Sequence, residues 1–303
     1  MSQTKLLIVS DGLIPSEQGY VLHPLLDQWR KQLCRSSRSW FESVPKTELE
    51  WYASLFGTAS TDVLAAAFKE QIPADIQQVW IVSPYHAQLG RDSVRVMPDP
   101  MLPWREEDAD WVCNLLNPLL REEGIELLQH GAALLLICRE PMDALPLSFA
   151  TVSGRELPNR HPDGVDGGRL MRLMAEIQML LSLKPAEHRR LAGEPDIHGL
   201  WIWGGRELSE AVFEVKLKPV ATRNPVLSAV AEAKDAFLII SSAEQLPEMT
   251  QSNLPLPKQV VLAGNNEAVV LKPSLFPRFG KPLWQPKAAG EEDRMMDMLR
   301  GMI

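Results

Sequence analysis

The sequence has few cysteines, no excess of basic charge and no long apolar run, and each shortage excludes a class of protein. Its three widely spaced cysteines exclude a disulfide framework and a zinc-binding spacing. A formal net charge of -8 argues against a nucleic-acid partner. The longest apolar run, Ala132 to Cys138, is too short to span a membrane, and Leu6 to Val9 is too short for a signal peptide. We therefore expect a cytoplasmic protein with no membrane partner.

The remaining composition is that of a globular chain. Of its 303 residues, 45% are hydrophobic and 23% are charged. This length suits one large domain or a core with an insertion. Strand-like and helix-like patterns alternate near both ends of the chain, and this alternation predicts an α/β fold.

Polar residues follow two of the predicted strands. Asp11 ends the buried strand Lys5 to Ser10, at the position where open α/β sheets place their ligands, although an aspartate there also starts a turn. His86 and Asp92 lie in the loop after the strand Val79 to Ser83, which Pro84 is expected to close. This loop is interpreted either as a site with an imidazole and a carboxylate or as a turn in which Asp92 bonds its own backbone.

A central segment carries three further candidates. Apolar residues at helical spacing predict a helix over Arg169 to Leu181, and the run Leu200 to Trp203 predicts a core strand. Arg155 and Arg160 lie in the polar loop before the helix, and Arg206 follows the strand. Guanidinium groups suit phosphates and carboxylates, and free N–H groups at the helix start could face the same anion. The alternative is a solvated loop.

The central segment resembles a known family. Gly154-Arg155, the Arg169-Leu170-Met171 helix, the charged turn Arg189 to Gly193, Pro195 and the run Leu200 to Gly205 follow in the order seen in the inserted domain of archaeal-type cofactor-independent phosphoglycerate mutases. The order is still more similar to proteobacterial phosphoglycerate-mutase-like proteins, including regulatory proteins of the RpfE type. Two earlier segments, His23 to Trp29 and Ser54 to Gly57, also look like segments of the wider alkaline-phosphatase superfamily.

This resemblance implies a reduced alkaline-phosphatase-like core, formed by residues 1–90 and 207–303, with a mutase-like α+β domain inserted at 91–206. It also implies that Asp11 corresponds to a metal ligand. Two departures count against catalysis. The nucleophile position falls near Glu48, beside Thr47, where no serine stands, and no histidine occurs between Arg206 and Ile303, where the superfamily brings an Asp-His pair.

The departures favour a non-catalytic, phosphoglycerate-mutase-like protein with a regulatory or binding role, without a metal or other cofactor. Its partner is expected to be a small phosphorylated or anionic ligand, or another protein. The alternative is an active metal-dependent, cofactor-independent phosphoglycerate mutase or phosphatase. A third possibility is an enzyme of unrelated chemistry in the loops around Asp11, His86 and Arg155.

Overall fold

The computed structural model describes residues 5–42, 44–90, 93–98, 101–231, 233, 236–249, 257, 259–273 and 289–301. The chain forms two compact units, one made of Met1–Ala59 with Lys218–Ile303 and the other of Ser60–Leu217. Across the described ranges, no helix combines the length and the apolar character needed to cross a lipid bilayer.

Strands and helices are interspersed along the described residues. The strands are β1 Leu6–Val9, β2 Leu13–Ser16, β3 Gly19–Leu22, β4 Ser37–Glu42, β5 Gln78–Tyr85, β6 Ala87–Leu89, β7 Val94–Val96, β8 Ile125–His130, β9 Ala133–Cys138, β10 Gly199–Glu207, β11 Val220–Ala221, β12 Leu238–Ser241, β13 Gln259–Ala263, β14 Glu267–Lys272 and β15 Ala289–Gly290. The helices are α1 Arg30–Cys34, α2 Glu48–Leu55, α3 Ser60–Ala67, α4 Glu106–Leu120, α5 Phe149–Val152, α6 Gly167–Leu183, α7 Glu187–Ala192, α8 Glu210–Phe213, α9 Pro225–Ala231, α10 Leu246–Met249 and α11 Glu292–Arg300.

The first unit is built on a mixed sheet. Its described strands lie in the order β11-β12-β1-β13-β14-β4-β15. The central strand β1 runs parallel to both β12 and β13, and all four of its residues are buried, as expected for an inner parallel strand. One face of the sheet forms a core with Tyr20, Leu26, Trp29 and Trp40. The prediction of an α/β fold is therefore confirmed, whereas the finer prediction of an alkaline-phosphatase-like core stays a prediction.

The second unit is built on an antiparallel sheet, with described strands in the order β10-β5-β9-β8. Helix α6 packs on β10, and α4 packs on β8. Strand β5 belongs to this unit because it pairs with β9 and β10, whereas the sequence assigned residues 1–90 to the core. The unit also extends to Leu217, past the predicted end at residue 206.

One predicted strand boundary was wrong. Strand β5 continues through Pro84 to Tyr85, because its pairing with β9 stops at Ile81, so the missing N–H of Pro84 is not needed on that side. After β10, the helical turn α8 begins directly after Ser209, a residue type that favours helix starts.

The Gly204-Gly205 pair shapes the end of β10. Gly204 adopts a positive φ of 66°, which side chains rarely accept, and the register between β10 and β5 shifts between Trp203 and Arg206. Gly205 passes so close to the Trp80 ring that an added Cβ would lie 2.5 Å from it. The two glycines therefore form a bulge that lets β10 run on past the buried tryptophans to Arg206.

Candidate functional site

Two histidines meet at one end of the sheet of the second unit. His86 directly follows β5, and His198 directly precedes β10. Since Gly199 pairs with Tyr85 in the antiparallel register, the two imidazole rings come together with centroids 4.5 Å apart and an interplanar angle of 43°. We call His86 and His198 the histidine pair. Both side chains are half-buried.

Gly199 makes this approach possible. A Cβ on Gly199 would lie 2.4 Å from the Tyr85 ring, so only glycine lets that ring pack against the strand. The ring is deeply buried, and burial raises the pKa of Tyr85 to about 12. Tyr85 is therefore a neutral packing group at ordinary pH, and it supports the backbone from which both histidines extend.

Backbone groups hold each imidazole through its Nδ1 atom. His86 Nδ1 lies 2.8 Å from the carbonyl oxygen of Asp196, which can only accept, so Nδ1 of His86 carries a proton. The backbone N–H of Ala87 donates to His198 Nδ1 at 3.0 Å, so that nitrogen carries none. The neutral tautomers are thereby opposite: Nε2 is an acceptor in His86 and a donor in His198.

The surroundings favour a neutral His198. Burial lowers the pKa of His198, the nearby His86 lowers it further, and the carboxylate of Asp196 opposes both effects. The Oδ1 atom of Asp196 is buried and has no hydrogen-bond partner among the described residues. The pair thus combines one ring kept neutral, one ring whose Nε2 is an acceptor in its neutral form, and a carboxylate beside them.

A small layer of extended chain connects the histidine pair with Arg155. Strand β6 follows His86 and pairs with β7, and the backbone of residues 155–157 pairs with the other side of β7. The carbonyl of Arg155 accepts the N–H of Val96, whereas Arg95 lies opposite Glu156. Because side chains alternate along a strand, Arg95 lies on the face of His86, and Arg155 lies on the opposite face.

The remaining candidates are separate from the pair. Arg206 pairs with Val79 at the other end of β5, about 20 Å along the strand from His86, and its Nε lies 3.1 Å from the carboxylate of Asp62. Arg160 is an exposed loop residue. Asp92 lies outside the described residues.

Carboxylates surround the start of α6, where an anion was predicted. Asp166 is the N-cap residue, and its side chain accepts the N–H of Asp143 at 2.9 Å. Asp143 in turn accepts the N–H of Val165 at 3.2 Å, and Asp163 lies in the same loop. These carboxylates interact favourably with the positive end of the α6 dipole, and they would repel an incoming anion.

In the first unit, Asp11 lies at the carboxyl edge of the parallel strands. The residues after β12 form the neighbouring loop, and the N–H of Ala243 donates to Asp11 Oδ1 at 2.6 Å. Burial raises the pKa of Asp11, while the bond from Ala243 and the positive charge of His23 oppose this rise. The Asp11 carboxylate therefore links the end of β1 to the loop after β12. This contact is compatible with either predicted role of Asp11, in a ligand site or in a turn.

Thr47, beside the predicted nucleophile position, caps α2. Its hydroxyl oxygen accepts the N–H of Glu50 at 3.1 Å, and the Glu50 carboxylate accepts the N–H of Thr47 at 3.2 Å. This capping box explains why a threonine stands there. Within the described part of the chain, no group of three or more His, Cys, Asp or Glu side chains is placed to hold a metal ion.

A buried ionic network, which sequence reasoning missed, lies on the segment that leads into β10. Arg189 is completely buried, and its Nη1 lies 2.9 Å from Asp108 and 2.8 Å from the carbonyl of Pro103. Its Nε donates to the carbonyl of Pro195 at 2.8 Å. Burial alone would raise the pKa of Asp108, but hydrogen bonds from Arg189 and His188 lower it below its usual value. Arg189 thus anchors the residue before Asp196, which itself holds His86.

Comparison with known proteins gives a distant structural likeness only. No protein-family description matches the chain, and no curated protein matches it. A cofactor-independent phosphoglycerate mutase from Thermoplasma acidophilum is similar over 99% of this chain and 100% of its own, with 12% identity and a TM-score of 0.37. The PH0037 protein from Pyrococcus horikoshii is similar over 100% of this chain and 98% of its own, with 11% identity and a TM-score of 0.45. At these identities and TM-scores, neither likeness supports an argument about function.

Proposed function

We propose that this chain is a non-catalytic, phosphoglycerate-mutase-like protein that binds a small phosphorylated or other anionic ligand at the histidine pair. The observation that carries this proposal is the opposite backbone anchoring of two adjacent imidazoles. Both rings are fixed through Nδ1, so both would meet a ligand through Nε2. Fixed polar groups of this kind bind with little loss of side-chain freedom.

Arginine near the pair supports an anionic ligand. Arg95 lies on the face of His86, and the bond from its Nε to the carbonyl of Gly154, 3.0 Å long, sets the direction of its guanidinium group. Guanidinium and imidazole N–H groups form charge-assisted hydrogen bonds with phosphate and carboxylate oxygens.

The sequence supports a binding role over catalysis. Phosphoryl transfer through a phospho-enzyme needs a hydroxyl nucleophile, and the hydroxyl nearest to the expected position belongs to Thr47, whose oxygen caps α2. The last histidine of the chain is His198, so the late Asp-His pair of the superfamily has no counterpart.

Calorimetric titration with glycerol phosphate tests the proposal. The wild type should bind, and His86→Asn and Arg95→Gln should each weaken binding about tenfold or more, since a charge-assisted hydrogen bond contributes roughly 1.5–3 kcal/mol. Asparagine keeps a donor for the Asp196 carbonyl, so the fold is preserved. His161→Asn is the matched control, because His161 is an exposed loop histidine.

Activity assays separate the alternative function. Purified protein would be incubated with manganese or zinc and assayed for phosphoglycerate mutase and phosphatase turnover. Turnover that is lost in His86→Asn but kept in His161→Asn would replace the binding proposal with an enzyme. Equal binding by wild type and His86→Asn would also refute the histidine pair as the ligand site.

A further inference from the structure

We infer that the histidine pair binds a tetrahedral oxyanion through one proton that lies between Nε2 of His86 and the ligand. His198 stays neutral and donates its Nε2–H to the same ligand. This inference rests on the proposed function and deepens it. It follows from the hydrogen bonds that hold the two rings, which differ although the two residues are of the same type. The pair is therefore one fixed donor beside one adjustable group.

His198 is the fixed donor. A proton added at its Nδ1 would point at the N–H of Ala87 and would replace the bond of 3.0 Å with a repulsion between two donors. Its Nε2 already carries a proton in the neutral form. Protonation of His198 therefore loses a backbone hydrogen bond in a half-buried setting and places a positive charge close to the ring of His86.

His86 is the adjustable group. Its Nδ1–H donates to the Asp196 carbonyl in both charge states, so a proton can bind or leave at Nε2 without changing that contact. The charged and titratable groups around it are His198 and Asp196 on the segment leading into β10, and Arg95 and Glu156 on the strand layer. A change in the protonation of this pair is therefore expected to take place at Nε2 of His86.

The two states of His86 fit two forms of one ligand. With Nε2 bare, the pair offers a donor and an acceptor, which matches a phosphate monoester that keeps one O–H group. With Nε2 protonated, the pair offers two donors, which matches the dianion. Both complexes contain the same number of protons. Starting from protein with Nε2 of His86 bare, binding of the dianion therefore takes up one proton from solvent, and binding of the monoanion takes up none.

The test counts protons by calorimetry. Glycerol phosphate is titrated in two buffers of different ionisation enthalpy, first at about pH 7.5 and then below the second pKa of a phosphate monoester, which is about 6. We expect an uptake of about one proton at the higher pH and a smaller uptake at the lower pH, where the free ligand already carries a proton. Above the second pKa, affinity should fall about tenfold per pH unit, because one proton is linked to binding.

Two variants decide which ring is responsible. His86→Asn should abolish the proton uptake and flatten the pH dependence of any residual binding. His198→Asn keeps an acceptor for Ala87, and it should weaken binding while the uptake of one proton remains. Both variants must match the wild-type thermal melting curve to within a few degrees. Nitrogen NMR of the wild-type protein gives the same answer without substitution, because Nδ1 of His198 should stay unprotonated when the ligand is bound.

Other outcomes refute distinct claims. Uptake of two protons, or uptake lost in His198→Asn and kept in His86→Asn, overturns the shared-proton inference and leaves anion binding intact. Binding without any proton uptake at the higher pH does the same. The proposed function itself fails when glycerol phosphate does not bind to the wild type at either pH.

Discussion

The buried ionic network and the histidine pair use the same short segment of chain in opposite ways. Arg189 holds the carbonyl of Pro195, and the next carbonyl, that of Asp196, holds His86. The network is closed to solvent, with Arg189 and Asp108 both fully buried, whereas both histidines are only half-buried. A buried charge that loses its partner destabilises the fold, whereas polar groups left half-exposed beside it can act on a ligand.

The largest expected effect comes from opening the closed network. Arg189→Met leaves the buried Asp108 carboxylate without its main partner, and we expect a loss of about 3–5 kcal/mol in the free energy of unfolding. Urea denaturation of this variant and of Arg190→Met, its exposed neighbour on α7, measures the difference. A loss of similar size in both variants would show that the buried position of Arg189 has no special role.

A smaller effect is expected where packing positions the pair. In Gly199→Ala, the added methyl group meets the Tyr85 ring at 2.4 Å, and overpacking of this kind destabilises by about 1–3 kcal/mol. The shift should also separate the two histidines and weaken binding of glycerol phosphate. The control is Gly168→Ala in α6, where an added Cβ meets nothing within 4 Å, so that variant should keep full binding.

Sequence patterns predicted the elements whose evidence is local. The buried strand β1, the helix α6 and the apolar start of β10 were all recognised from runs or periodicity, with ends shifted by a few residues. The class of the fold followed from these elements. What could not be read from local patterns was which strands pair, such as β5 with β9 and β10.

The candidate site shows the same limit. His86 was recognised because it follows a strand, but His198 was overlooked because its significance comes from antiparallel pairing with a strand more than a hundred residues earlier. Arg189 and Arg190 are neighbours of identical type, and only the packing of α7 buries one and exposes the other. A histidine directly before an apolar strand was the one signal in the sequence that could have indicated His198.

An ion pair at the solvent-exposed edge of the network should contribute less to the free energy of unfolding than the buried pair of Arg189 and Asp108. Arg105 binds both carboxylate oxygens of Glu194, but its side chain is 56% exposed. Solvent screening limits such pairs to about 0–1 kcal/mol, so Arg105→Gln should change the free energy of unfolding by no more than that. A loss as large as that of Arg189→Met would mean that the network extends to the surface as one unit.

The smallest effect concerns the stability of the pair itself as pH falls. The pKa of His198 lies below its ordinary value of 6.5 because burial and the nearby His86 disfavour its charged form. The unfolded chain therefore binds a proton that the folded chain resists, and the free energy of unfolding should decline as pH falls from about 6.5 through the lower pKa of the folded state. His198→Asn keeps the acceptor for Ala87 and removes this titration. Urea denaturation at several pH values, without anions that could bind, should therefore give a flatter pH profile for the variant than for the wild type, with no difference in slope well above pH 6.5. Parallel profiles across the whole range would mean that His198 takes its proton as easily in the folded protein as in the unfolded chain, and the opposite roles of the two imidazoles would then have no basis.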